Sequence, residues 1–194
     1  MAIVFAMAVP HPPIIIPDIG RGEEQKIQAT IDAYMEVARR AAEFDPDTVV
    51  VLSPHSTVYR DYFHISPGKS ARGDFGRFGA RRVSVEMEYD TEFVQQLSSL
   101  AETDGLPAGT LGERDPELDH GTLVPLYFLT QFNLRAKLVR IGISGLPYLD
   151  HYRLGKLIAR VSESLGRKTV FVASGDLSHK LKEDGPYGFS EEGP

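Results

Sequence analysis

The chain has 194 residues, of which 42% are hydrophobic and 25% charged, a balance that favours one globular domain with a substantial core over disorder. A formal net charge of −6 argues against a nucleic-acid binder, which needs a basic face for phosphates, and no apolar run approaches the ~20 residues that cross a bilayer. The absence of cysteine excludes disulfides, thiolate metal sites and a thiol nucleophile, leaves imidazole and carboxylate as the strong metal ligands, and fits a cytoplasmic protein.

The first element is the continuous apolar run Ala2 to Val9, read as a buried strand because it stops at Pro10 and has no basic flank of a signal segment. It delivers His11 into the turn Pro10-His11-Pro12. Ile27, Ile31, Tyr34, Ala38 and Ala41 recur at helical spacing and predict a helix from about Gly22 to Phe44, which Asp45-Pro46-Asp47 ends. Thr48 to Leu52 is a second buried strand, ending at Ser53-Pro54-His55 much as the first ends at His11. A right-handed crossover between the two makes them parallel, so both histidines leave the same carboxyl edge of the sheet.

Tyr62 to Ser66 reads as a short strand carrying His64. Pro67 to Arg82 follows, with four glycines, five basic residues and no hydrophobic period, and reads as a long mobile loop, either a lid or a plain disordered surface loop. Gly68-Lys69-Ser70 is not a phosphate loop, because the glycine required five positions earlier is Phe63. Val83 to Val85 marks a strand and Thr91 to Thr103 a helix. Asp119 and His120 precede a helix carrying Leu123, Leu126, Tyr127 and Thr130, so Asp119 is either a cap or a site residue. Leu138 to Ile143 and Thr169 to Ala173 are two more strands, flanking a helix from about Asp150 to Leu165 that holds His151 near its start. The last strand runs into Ser174-Gly175-Asp176-Leu177-Ser178-His179. Alternating strands and helices predict an α/β fold: a single domain with a mainly parallel or mixed central sheet, flanked by helices on both faces.

Four of the six histidines, His11, His55, His120 and His179, stand at element ends, where α/β proteins assemble their sites. Two imidazoles and a carboxylate suit iron(II) with open positions for substrate and dioxygen, and a similar set suits a zinc hydrolase. Histidines outside the metal shell are available as general acid and base near neutral pH.

The four motifs, His11-Pro12-Pro13, Ser53-Pro54-His55, Asp119-His120-Gly121 and Ser174-Gly175-Asp176-Leu177-Ser178-His179, together resemble the class III extradiol ring-cleavage dioxygenases, the superfamily of the protocatechuate 4,5-dioxygenase catalytic subunit. The resemblance spans nearly the whole chain. It implies an iron(II) enzyme, with zinc(II) as an alternative metal, that opens a small aromatic diol with O2. Carried onto this sequence it makes His11 and His55 metal ligands, His179 the base that deprotonates the catechol, and His120, with Asp119 beside it, a second acid/base and orienting group. The family's carboxylate ligand is a glutamate well downstream of the last histidine, so residues 1–194 are expected to be a dioxygenase-like catalytic domain truncated at its C-terminus. Glu191 and Glu192 are the only acids near Pro194. The stretches Pro10 to Pro17 and Gly73 to Gly79 resemble most the branch of Memo-like proteins and of the domains beside AMMECR1 and radical-SAM proteins. That branch implies an alternative to the dioxygenase reading, a non-enzymatic binding protein that keeps the pocket, while the ligand set alone leaves a zinc-dependent hydrolase open; the expected partners are another copy of the chain or an AMMECR1-type or radical-SAM neighbour.

Overall fold

Four short apolar runs containing valine or isoleucine form the central sheet, because β-branched side chains buried on both faces are what a parallel strand demands. The computed structural model describes residues 3–112, 114 and 117–193. Its strands β1 (Ile3–Val9), β2 (Thr48–Ser53), β7 (Lys137–Gly142) and β8 (Thr169–Ser174) are all parallel, in the order β1-β8-β2-β7. Ala2, expected in the first strand, lies outside the described residues. The last strand is inserted between the first two, so Val9 pairs with Ser174 and Leu52 with Ala173.

Side chains alternate across this sheet and divide the core into two layers. Val49, Val51, Leu138, Val170 and Val172 pack under helices α2 (Gln28–Glu43) and α4 (His120–Thr130), while Val50, Val139 and Ile141 pack under α3 (Thr91–Thr103) and α5 (Tyr148–Ser164). The protein is thus an α/β domain with helices on both faces of a parallel sheet. The helix expected from Gly22 begins later: Gly22 has φ 104°, Glu23–Ile27 is a 3-10 turn, and the short helix α1 (Pro17–Gly20) precedes it. Two residues, Phe63–His64, form β3, which pairs in parallel with β6 (Ala108–Gly109).

One expectation is overturned. The segment read as a mobile loop, Pro67 to Arg82, contains β4 (Ser70–Phe75) and runs into β5 (Ala80–Glu88), an antiparallel hairpin whose turn is the 3-10 segment Gly76–Phe78. Period-two burial is present in β4, with Ala71, Gly73 and Phe75 inward. Gly73 breaks the hydrophobic signature because it has no side chain, and it is small for a reason: a Cβ there would lie 2.7 Å from the Leu118 carbonyl oxygen.

Candidate metal centre

The carboxyl edge of the sheet gathers three imidazoles from three segments. His11 sits two residues past β1, His55 two residues past β2, and His120 is the first residue of α4. Their ring centroids are 4.8 Å apart for His11 and His55, 5.5 Å for His11 and His120, and 3.9 Å for His55 and His120. One ring nitrogen from each lies within 4.8 Å of the other two.

Each histidine is held by its own short network. The His11 backbone N–H donates to Asp176 Oδ1 (2.8 Å), and its ring Nδ1 lies 2.9 Å from Ser174 Oγ. Because the Ser174 hydroxyl donates to the Gly121 carbonyl, that oxygen accepts from His11 Nδ1–H. The hydrogen-bond network therefore assigns the tautomer and leaves the His11 Nε2 lone pair bare, 3.6 Å from Asp176 Oδ2. A lone pair and a carboxylate oxygen facing each other in a residue only 2% exposed is an arrangement that a cation relieves.

His55 and His120 are linked through Asp119. This residue is the N-cap of α4: Oδ1 accepts from Thr122 N (2.9 Å) and Oδ2 from Thr122 Oγ1 (2.8 Å). Oδ1 also accepts from Ser53 Oγ (2.6 Å), and the same serine oxygen accepts the His55 backbone N–H (3.2 Å). The buried guanidinium of Arg140 lies 4.0 Å from Oδ2 and donates to the Glu117 carbonyl (2.6 Å). One carboxylate thus ties the end of β2 to the start of α4 and sets the spacing of the two rings.

Burial lowers the His11 and His120 pKa values from their ordinary value. At His11, Asp176 opposes that shift and the neighbouring His55 adds to it; at His120, His55 and then His11 add to it. Both imidazoles are consequently neutral at pH 7, the form that ligates a metal.

His179 stands apart from this group. Its ring is about half exposed, rests on Tyr187 (centroids 4.9 Å apart), and places Nε2 3.6 Å from Asp176 Oδ2. Asp176 is therefore the link between His11 and His179. His64 and His151 lie away from the centre, with their Nδ1 atoms against the carbonyls of Leu111 (3.1 Å) and Pro147 (3.3 Å). Among the described residues, neither Glu191 nor Glu192 joins the converging groups.

A cavity of about 330 Å³ opens beside the imidazoles, lined by His55, His120, Asp119, Leu123, and by Arg77 and Phe78 from the hairpin turn. The Phe78 ring lies 5.5 Å from that of His120. Sequence reasoning missed Ser174, Asp176, Ser53 and Phe78. Ser174 and Asp176 stand in the quoted Ser-Gly-Asp motif, the one signal that pointed to them.

Comparison with known proteins bears on this centre. The family model described as "Catalytic LigB subunit of aromatic ring-opening dioxygenase" matches residues 5–192. Protein CA_C1420 of Clostridium acetobutylicum is 36% identical over 193 residues, covering 95% of this chain and 41% of its own length. A 3,4-dihydroxyphenylacetate 2,3-dioxygenase of Escherichia coli is 26% identical over 81% of this chain and 58% of its own. A 2,3-dihydroxyphenylpropionate/2,3-dihydroxicinnamic acid 1,2-dioxygenase of Mycobacterium sp. (strain MCS) is 27% identical over 92% of this chain and 58% of its own. The chain thus spans between two fifths and three fifths of the length of these relatives.

Proposed function

The chain belongs to the family of the catalytic LigB subunit of aromatic ring-opening dioxygenases, and on that premise we propose that it opens a catecholic ring with O2 at an iron(II) ion held by His11 and His55. The observation that carries this reading is the convergence of three imidazoles at the carboxyl edge, with the His11 Nε2 lone pair bare beside a carboxylate. These donors fit the ion, since imidazole and carboxylate oxygen are the ligands of non-haem iron(II). When bound, iron(II) supplies a centre at which diol and dioxygen meet and exchange charge.

The protein's own part is binding, orientation and proton handling. His179 takes the proton of a diol hydroxyl, and the Asp176 carboxylate lies 3.6 Å from its Nε2. His120 is the second acid/base, oriented through the cap that Asp119 forms at the head of its helix. Leu123 and Phe78 give the cavity apolar walls, and its volume exceeds the ~150 Å³ that a benzene ring occupies as a ligand in an engineered protein cavity.

Ring opening is tested by loading the purified protein with iron(II) without oxygen, then adding catechols and air. The expected result is a yellow ring-opened product, formed at least ~100-fold more slowly by His179→Ala. A protein that takes up no iron, or a loaded protein that opens no catechol, overturns the reading.

A further inference from the structure

We propose that Arg140 is a positioning residue of the site: its buried guanidinium fixes the segment Glu117 to His120, and with it the His120 ring, relative to His55. The inference rests on the proposed function in taking ring opening as the reaction that depends on this spacing. It assigns a role to a side chain that acts through other residues.

Arg140 is out of place as a core residue. It lies in β7 two residues after Leu138 and pairs with Val51 of β2, so its side chain enters the apolar layer under α2 and α4, where it is only 2% exposed. A buried ion pair adds little to stability, and an apolar side chain of similar volume commonly serves as well. Packing alone therefore does not account for a guanidinium here.

Its hydrogen bonds join segments that are distant in sequence. Nε donates to Ser66 Oγ (2.7 Å), and the Arg140 carbonyl accepts from the Ser66 backbone N–H (2.9 Å), which locks the side chain to the strand end beside β7. Nη1 donates to the Glu117 carbonyl (2.6 Å) and lies 4.0 Å from Asp119 Oδ2. Glu117 in turn bridges to Arg72 of β4, and the Leu118 N–H donates to the Arg72 carbonyl (2.9 Å), so the hairpin whose turn carries Phe78 is tied to the same segment. Glu117, Leu118, Asp119 and His120 line the cavity together with Phe78. A planar fork holds Ser66 and Glu117 at once, which a lysine ammonium on a flexible stem does not. Asp119 also accepts from Ser53 Oγ, the atom that receives the His55 N–H, so a hold on this segment is a hold on the spacing of the two rings.

Two variants separate this role from plain support of the fold. Arg140→Lys keeps the positive charge without the fork, and Arg140→Met keeps much of the bulk without the charge. In iron(II)-loaded protein with catechol as the probe, each is expected to lower kcat about 10–100-fold with KM within about threefold of the parent, because a misplaced His120 fails in proton transfer rather than in binding. Arg135→Lys, on the exposed segment ahead of β7, is expected to match the parent. Circular dichroism at the assay temperature shows that each variant is folded. Folded Arg140 variants whose kcat stays within about twofold of the parent overturn the proposal, because a merely structural arginine alters stability alone. The second measurement needs no turnover and adds the milder Ser66→Ala, which removes one anchor of the guanidinium. In metal-free protein the ring 1H–13C NMR signals of His55 and His120 are expected to shift while that of His151 stays. If the His120 signal stays put in all three variants, Arg140 does not place that ring, and the proposal fails while the ring-opening reading stands. A parent that opens no catechol overturns that reading instead, and the ring signals alone then decide whether Arg140 places His120.

Discussion

Ser174 shows how much of the site hangs on one hydroxyl. Its oxygen takes the His11 Nδ1 proton and passes its own to the Gly121 carbonyl, so it fixes one ring in both orientation and tautomer while anchoring the first turn of α4. In Ser174→Ala a buried N–H is left without its acceptor, at a cost of about 1–3 kcal/mol, and the ring regains freedom to turn. Cobalt(II) titration and urea unfolding of this variant are expected to show affinity about 10–100-fold weaker together with that stability loss. Unchanged affinity would mean that His11 needs no such support. At this scale the sequence was informative about the histidines and nearly silent about their partners. An imidazole after a strand carries its chemistry in its name, whereas a serine at a strand end is ordinary until β8 is known to lie beside β1.

The element that matters most to the site is α4, because it delivers His120 and closes against β2. Its first turn is tight: a Cβ on Gly121 would lie 2.5 Å from Ser53 Oγ, 3.1 Å from Asp119 Oδ1 and 3.2 Å from His55 Cδ2. Gly121→Ala is therefore expected to push the head of α4 away from β2 and to cost about 1–3 kcal/mol, while leaving the buried remainder of the helix, Leu123 to Leu129, in place. Far-ultraviolet circular dichroism should then look native while metal affinity falls. A variant that binds metal normally would show that His55 and His120 do not depend on this brace. The Asp119 cap and the 3.6-residue period of α3 and α5 were readable from the sequence, since both are local. The β4–β5 hairpin was not, because its inward Gly73 and its exposed arginines hide the alternation that its packing against Leu118 makes plain. That misreading also hid Phe78 and Arg77, the cavity wall opposite the histidines.

Across the whole molecule, the strand order β1-β8-β2-β7 brings the motifs together, and the sequence gives only part of it. Parallel strands and a shared edge follow from the βαβ pattern, but four short apolar runs look alike, so nothing local says that the last inserts between the first two. The consequence is a site stitched from both ends of the chain, whose imidazoles are separated only when the fold opens. Burial and mutual proximity lower the His11 and His120 pKa values in the folded protein, while in the unfolded chain they return to about 6.5. The folded state then binds fewer protons than the unfolded one, so stability rises with pH wherever the unfolded histidines are still protonated. This contribution is complete above pH ~6.5 and is lost as pH falls through the lower folded values. Metal-free protein kept in chelator is thus expected to show a thermal midpoint that is level above pH ~7 and drops as pH falls from ~6.5 to ~5.5, before ordinary carboxylates begin to titrate. His120→Gln, which removes one of the two depressed groups, should flatten that slope. A parent midpoint that does not change over this range would show that the folded protein accepts these protons as readily as the unfolded chain, and that His11 and His120 do not sit in surroundings that disfavour their protonated forms.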